Sequence, residues 1–331
     1  MLYLHGLGHY YPENIITNRF LEDLDIGATE DWILERVGIR TRRTSLPLDY
    51  IRDTKNSDLR AAQDVSSSNN IITGAAAARM AIKRAGISID DIGLVISGSS
   101  APDTLTPAEA SMIASELGIE CPCFDLNSAC TTFGMQIHFL SGMTANALPP
   151  FILLVNPENL TRSIDYADRS TAVLFGDGSA AAVVSATVPS RMVFSASHCG
   201  TRTADCRKVT IPRIGYFQQD GSAVQGFAIR KATESIRLLQ ISFPAENGNR
   251  FIFVGHQANL GMLRTVCERA GIIPENHWHN VVEFGNTGAS GAPAVLSRHW
   301  DRLRSGDHVA MALVGGGLTW VHLILKVEEH P

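Results

Sequence analysis

The chain has 331 residues, 45% of them hydrophobic and 18% charged, which supports a large folded core and excludes a disordered or fibrous protein. Lysine and arginine number 28 against 33 aspartates and glutamates, a formal net charge of -5 with no long run of one sign, so the balance argues against nucleic acid as a partner. Six cysteines are sparse for this length, no cleavable signal precedes the first apolar stretch, and no apolar run approaches the roughly 18 residues of a membrane span; the expectation is a cytoplasmic protein with reduced thiols and no membrane contact.

In chain order, 2–8 reads as a short strand, 18–24 and 30–37 as helices, and 45–67 as an irregular polar excursion. Over 70–86, Ile72, Ala75, Ala78, Met80, Ala81 and Ile82 share one helical face that stops at Gly86. A strand at 92–97, a helix at 105–117, a strand at 122–126, an apolar helix at 131–142 and strands at 151–155 and 180–185 complete a first half, 1–185. Such alternation predicts a mostly parallel sheet covered on both faces. The order returns in a second half, 186–331, with a helix at 225–239, a strand at 251–255, a helix at 260–270, a strand at 281–284, a helix at 289–303 and strands at 308–314 and 319–326. Two copies of one α/β arrangement account for this repetition.

Each half sets polar residues just beyond a strand: Asn127, Ser128, Ala129 and Cys130 in the first, Gly285, Asn286, Thr287 and Gly288 in the second. Ligands and chemistry gather at that end of the strands in open α/β sheets. Cys130 reads either as a small buried cysteine or as a nucleophile whose pKa is lowered by the dipoles and free N–H groups of a helix start. Taken singly, His256 reads as a structural histidine and Asn286 as a helix N-cap; together with Cys130 they read as one site. Cys121 and Cys123 lack the second pair or spaced histidine of a zinc site and read as core at a strand start. His277 and His279, flanking Trp278, read as a solvated loop. Gly315 to Gly317 opens a strand rather than a helix and so is no dinucleotide fingerprint.

The segments around Cys130, His256 and Asn286 resemble the Cys, His and Asn motifs of the β-ketoacyl-acyl-carrier-protein synthase III family. Trp32 to Arg40, Asp168 to Gly178 and Val314 to Trp320 match three further family signatures, and the similarity spans nearly the whole chain. The resemblance implies a thiolase-like α/β fold of two similar halves layered α-β-α-β-α, a homodimer, and no cofactor beyond the coenzyme A thioester that serves as substrate. It implies that Cys130 takes the acyl group of an acyl-CoA, that malonyl-acyl-carrier protein then loses CO₂, and that His256 Nε2 and the Asn286 amide donate hydrogen bonds to the enolate. Backbone N–H groups of Cys130 and Gly316 would form the oxyanion hole. Trp32 and Arg169 match positions that sandwich the adenine of coenzyme A, Arg36 a phosphate partner, and Asn259 and Gly221 positions along the pantetheine arm. A salt bridge to Asp165 or Asp168 is the alternative for Arg169.

Several positions depart from the family pattern. Thr132 stands where Gly is usual, Gln225 where Phe lines the pantetheine channel, and Val314 where Phe is common; with Phe133 these imply a reshaped, more polar acyl pocket. Thr106, often Phe in acetyl-specific relatives, closes the partner's pocket, and a smaller residue there admits a starter longer than acetyl. Gly226, Gly261 and Glu268 replace basic carrier-docking residues, although Arg264 and Arg269 remain and Arg230, Lys231 and Arg237 lie nearby. These changes leave room for a relative making 3-oxopimeloyl thioesters for biotin synthesis, or one serving secondary metabolism. Arg162, Arg202 and Arg213 are candidates to receive a carboxylated starter, against a reading of each as surface charge. An acyltransferase and a non-catalytic partner subunit on the same fold are further readings; retained Asn286 counts against the first and the intact catalytic set against the second.

Overall fold

Among the residues that the computed structural model describes, 1–244 and 248–329, nine strands join one mixed sheet. They are β1 (Leu2–Tyr10), β2 (Ile92–Ser97), β3 (Cys123–Asp125), β4 (Phe151–Glu158), β5 (Gly178–Ser185), β6 (Met192–Thr201), β7 (Phe251–Gly255), β8 (His308–Gly315) and β9 (Thr319–Val327). Their order across the sheet is β7-β8-β9-β6-β1-β5-β4-β2-β3. Followed outward from the middle, β1-β5-β4-β2-β3 and β6-β9-β8-β7 repeat one pattern, and the two series meet where Leu2 pairs with Phe194 and Tyr3 with Val193.

In the first series β5 runs antiparallel to β1 and β4, whereas β2 is parallel to β4 and β3. The second matches it, with β9 antiparallel to β6 and β8, and β8 parallel to β7. Antiparallel pairings therefore outnumber parallel ones, contrary to the mostly parallel sheet expected; apolar runs reveal burial on both faces but not the direction of a neighbour. A single parallel bridge between Phe253 and His277 stands where a counterpart of β3 would pair. His277 is thus drawn against the sheet instead of lying on a solvated loop, and Trp278, 3% exposed, stacks on His299 at 4.6 Å.

The principal helices are α1 (Asn70–Ala85), α2 (Glu109–Leu117), α3 (Thr132–Gly142), α4 (Gly221–Ser242), α5 (Leu260–Ala270) and α6 (Gly291–Arg298). Alternate residues of each strand face different layers. Phe133 and Ile137 of α3 and Val295 and Leu296 of α6 share one core with Leu4 and Leu154 of the first series and Val254 and Leu313 of the second. Outside it, Ala78 of α1 and Ile113 of α2 pack on Leu153 and Val183. On the opposite side Ile236 of α4 and Leu263 of α5 pack on Phe253 and Ile324. The layering is α-β-α-β-α, with α3 and α6 in the middle.

Local chemistry sets the element ends and explains where they differ from expectation. Asn69 caps α1 by accepting the Ile72 N–H at 3.0 Å, and Gly86, at φ +68, ends it. The stretch 45–67 holds two short helices, Leu48–Thr54 and Leu59–Val65, rather than an irregular excursion, the second opened by Asp58 accepting the N–H groups of Arg60 and Ala61. Asp125 accepts the N–H groups of Glu109 and Ala110 at 2.8 and 2.9 Å, so α2 begins at Glu109, after the expected 105. Asp220 accepts the Ala223 N–H at 3.3 Å and starts α4 at Gly221, ahead of the expected 225. Val281–Phe284 is a helical turn and not a strand: Gln257 Oε1 accepts the N–H groups of Asn280 and Val281 at 3.0 and 3.2 Å. Among the described residues no helix is long and apolar enough to cross a membrane.

Candidate active site

Cys130 stands between β3 and α3 on a turn locked by its neighbours. Ala129 holds φ +48, a left-handed conformation that costs a residue with a Cβ roughly 1–2 kcal/mol. Three side-chain hydrogen bonds offset that cost. Asn127 Oδ1 accepts the Ala129 N–H at 2.8 Å, while Thr132 Oγ1 accepts the Ser128 N–H at 2.8 Å and donates to the Ala129 carbonyl at 2.6 Å. The threonine that departs from the family pattern is therefore a clamp on the turn that carries Cys130. Its methyl is accommodated by Gly98, where a Cβ would meet Thr132 Cγ2 at 2.5 Å.

The end of β8 approaches the same turn from the second half. A Cβ on Gly315 would lie 3.0 Å from Cys130 N, so glycine is what lets the strand come this near. Gly316 follows and lines the same cavity as Cys130. Thr131 Oγ1 and Thr319 Oγ1 are 2.9 Å apart across the junction. Further back on β8, Ala312 accepts the His256 N–H at 3.0 Å, so one strand positions both residues. His256 is buried, which lowers its pKa to about 4; the imidazole is neutral near pH 7 and keeps one ring N–H to donate.

Asn286 is held from both sides of its backbone. Its N–H donates to Leu174 O at 2.9 Å, and its carbonyl accepts the Gly176 N–H at 3.1 Å. The side-chain Oδ1 accepts the Gly288 N–H at 3.0 Å, leaving Nδ2 as the open end of the amide. The N-cap reading does not apply, because the residue's side chain caps no helix beyond that local bond.

Burial pushes the Cys130 thiol up to about 12, and the Glu158 carboxylate adds to the shift. This shift runs against the lowered pKa expected from a helix start; α3 begins at Thr132, two residues past the cysteine. Nothing in the sequence marks Glu158, at the end of β4. Its Oε1 accepts from Ala289 N–H at 3.0 Å and Ser100 Oγ at 2.9 Å; its Oε2 accepts from Ser100 N–H at 3.0 Å and Ser99 Oγ at 3.2 Å. Burial raises its pKa to about 7 against the pull of these bonds. Glu158 thereby ties the wall of the Cys130 cavity to the turn that follows Asn286.

The Cys130 cavity measures about 300 Å³, with Leu160, Phe175, Ile211 and Phe217 as its apolar walls. Of the residues expected around the acyl pocket, Phe133 and Val314 do not line this cavity. Phe133 is 1% exposed in the central core, Val314 packs with Phe227 and Leu318, Gln225 lines the neighbouring cavity, and Thr106 is exposed on the loop before α2. The central layer absorbs Phe133 and Ile137 of α3, which leaves Phe175 and Phe217, 4.5 Å apart, in the wall. Of the three arginines considered for a carboxylate, Arg162 is buried and pairs with Asp103 at 2.6 Å, Arg202 pairs with Asp205 at the surface, and Arg213 is exposed. Surface charge is therefore the wrong reading of Arg162.

A second cavity, of about 410 Å³, gathers Trp32, Arg36, Arg169, Gly221 and Asn259 and has Asn286 in its wall. These are the residues assigned by resemblance to coenzyme A. The Arg169 guanidinium sits 5.1 Å from the centre of the Trp32 ring, and among the described residues neither Asp165 nor Asp168 pairs with it. Asp168 instead caps the Arg169–Ala172 turn, accepting the Ser170 N–H at 2.9 Å. A base stacked between the two groups needs roughly 7 Å, two contact distances of about 3.5 Å, so Arg169 must swing out to admit one. Asn259 Oδ1 caps α5 by accepting the Met262 N–H at 2.7 Å, which leaves Nδ2 to meet a ligand. His256 lines neither cavity; its chain neighbours Ala258 and Asn259 line the second.

Comparison with known proteins agrees with this architecture. The family described as 3-oxoacyl-[acyl-carrier-protein (ACP)] synthase III matches residues 124–203, and its C-terminal part matches 251–327. The β-ketoacyl-[acyl-carrier-protein] synthase III 2 of Halalkalibacterium halodurans is 30% identical over 335 residues, covering 97% of this chain and 95% of that protein. The crystal structure of 3-oxoacyl-[acyl-carrier-protein] synthase III from Aquifex aeolicus superposes with a TM-score of 0.86 at 25% identity over 98% of this chain and 100% of that one. The enzyme from Pseudomonas aeruginosa gives 0.84 at 27% identity over 100% and 99%. The chain belongs to the β-ketoacyl-[acyl-carrier-protein] synthase III family, condensing enzymes of the thiolase-like fold whose chemistry is Claisen condensation.

Proposed function

We propose that the enzyme loads an acyl group longer than acetyl from an acyl-CoA onto Cys130 and condenses it with a malonyl group carried by acyl-carrier protein. The observation that carries this reading is the pair of cavities: an apolar one behind the sulfur, and a second that collects Trp32, Arg36, Arg169, Gly221 and Asn259 and has Asn286 in its wall. Cys130 sulfur attacks the thioester carbon, and the thiol proton leaves with the coenzyme A thiolate, so the high thiol pKa is met by a leaving group that takes the proton. The malonyl carboxylate then departs as CO₂, and its bonding pair becomes an enolate. Neutral His256 and Asn286 Nδ2 donate to the enolate oxygen. The carbanion attacks the acyl-Cys130 carbonyl, the N–H groups of Cys130 and Gly316 receive the oxyanion, and the sulfur leaves and recovers a proton from solvent.

For an acidic carrier protein the reading relies on the basic residues that remain on α4 and α5, of which Lys231 is paired with Glu234. Arg230, Lys231 and Arg237 on α4 lie beside Arg264 and Arg269 on α5, and Arg237 donates to Arg269 O at 2.7 Å where the helices touch. The reading includes a homodimer in which the exposed loop of Thr106 reaches the neighbouring subunit, and a cytoplasmic setting where both thioesters occur. Intact-protein mass spectrometry with a series of acyl-CoAs tests the reaction. The expected result is an adduct on the native chain, absent in Cys130→Ala and discharged by malonyl-acyl-carrier protein. Failure of every acyl-CoA to label Cys130 would overturn the reading, and sedimentation as an active monomer would overturn the dimer.

A further inference from the structure

Beyond the apolar walls, the Cys130 cavity meets a larger chamber of about 640 Å³, with Ser100, Asn127 and Ile211 common to both linings. The chamber changes character. Its lining includes Arg60, Gln63, Asp103, Asn159, Arg162 and Arg213, three guanidinium groups against one carboxylate. Arg162 is 3% exposed and fixed: it donates to Gln63 Oε1 at 2.8 Å and to Asp103 Oδ1 at 2.6 Å, and its Nε donates to Asn159 O at 3.3 Å. Asp103 is thus already engaged, which leaves the positive charge of Arg60 and Arg213 unbalanced at this wall.

Asn159 is the second, independent sign of a ligand. It is 0% exposed, yet neither its Oδ1 nor its Nδ2 has a hydrogen-bond partner. Its backbone is held, with its N–H donating to Asn70 Oδ1 at 3.1 Å and its carbonyl accepting from Arg162, so the amide stands on a fixed base in the chamber lining. Buried amides are nearly always paired, and an alkyl tail would leave this one without a partner while covering charged groups.

We propose that the starter acyl group carries an oxygen function, a hydroxyl or a carboxylate, at the end remote from its thioester, and that Asn159 and the arginines of this chamber select it. The first carbons of such a chain lie among Leu160, Phe175, Ile211 and Phe217, and the oxygen reaches the polar chamber past Ser100 and Asn127. This inference rests on the reading of Cys130 as the acyl acceptor.

The test measures Cys130 acylation rates on the full-length protein with hexanoyl-CoA, its ω-hydroxy derivative and adipoyl-CoA. The expected result is a kcat/KM for at least one oxygen-bearing starter about tenfold or more above that for hexanoyl-CoA. Preference for adipoyl-CoA assigns the selection to the guanidinium charges, and equal use of the hydroxy derivative assigns it to the amide. Asn159→Leu should narrow the ratio at least about fivefold. Should that variant fail to fold, the discrimination of the native protein still decides. Equal or faster loading of hexanoyl-CoA overturns the inference and leaves the Cys130 reading intact; no loading by any of the three overturns both.

Discussion

Asn286 Oδ1 accepts the N–H of Gly288 at 3.0 Å, which fixes the orientation of an amide that would otherwise be free to turn. The end facing the site is a donor. Asn286→Asp keeps the bond to Gly288 but turns the open end into an acceptor, set against an enolate. Condensation should fall about 10²–10³-fold, as for loss of an oxyanion donor, while acylation of Cys130 continues. Mass spectrometry of the acyl-enzyme alongside CO₂ release from the malonyl thioester separates the two half-reactions.

Glu158 accepts a backbone N–H at each oxygen, from Ala289 and from Ser100. Glu158→Gln therefore opposes an NH₂ group to one N–H in either orientation, and the fold should lose about 1–3 kcal/mol in denaturant titration. The substitution also removes the charge that helps raise the thiol, so the pH midpoint of Cys130 alkylation should move down. An unchanged midpoint would show that burial alone sets the thiol.

Thr132→Gly restores the residue usual in the family but removes the clamp on Ser128 and Ala129. Two hydrogen bonds are lost and a flexible residue enters the helix start. A destabilisation of about 1–2 kcal/mol is expected, together with slower acylation, because the strained turn beneath the sulfur loosens. Denaturation midpoints and loading rates on the same samples check both effects.

Acid should unfold the protein early. Burial lowers the pKa of His9, His256, His277 and His322 to about 4, against 6.5 for an exposed imidazole. Each group is neutral in the fold where the unfolded chain is protonated, so its contribution is complete above pH 6.5 and lost as pH falls toward 4. Glu109, raised to about 8, and Glu158, raised to about 7, act in the opposite sense, since the fold holds their protons down to the exposed value of 4.5. Four groups oppose two. Melting temperatures should fall between pH 6.5 and pH 4.5; a flat profile would contradict the neutral state of these histidines.

Cys130 and His256 are legible in the sequence because each sits where a strand gives way to a turn, and that transition is written in local patterning; Asn286 follows a helical turn instead, and is legible because a polar run breaks the apolar segment there. The coenzyme A set is legible only through the family motifs, since Trp32, Arg169 and Asn259 come from three distant segments that no periodicity connects. Glu158 escapes because VNPE reads simply as the end of a buried strand; what distinguishes it is four donors supplied by residues 99, 100 and 289. Phe133 is not legible as a core residue for a related reason: the side on which it packs depends on the central layer, not on its neighbours in sequence. Strand β6 goes unseen because its continuous apolar run, Met192 to Phe194, is short and the segment turns mostly polar as it leaves the core.

On the proposed reading, the contact of Arg169 over Trp32 closes the outer cavity to a stacked base. A thioester that ends in a nucleotide must part the pair and occupy the gap, and its departure lets the guanidinium fall back onto the indole. A thioester arm tethered to a protein brings no base, and can enter with the pair shut. On that reading, Arg169 is displaced by the first substrate and not by the second.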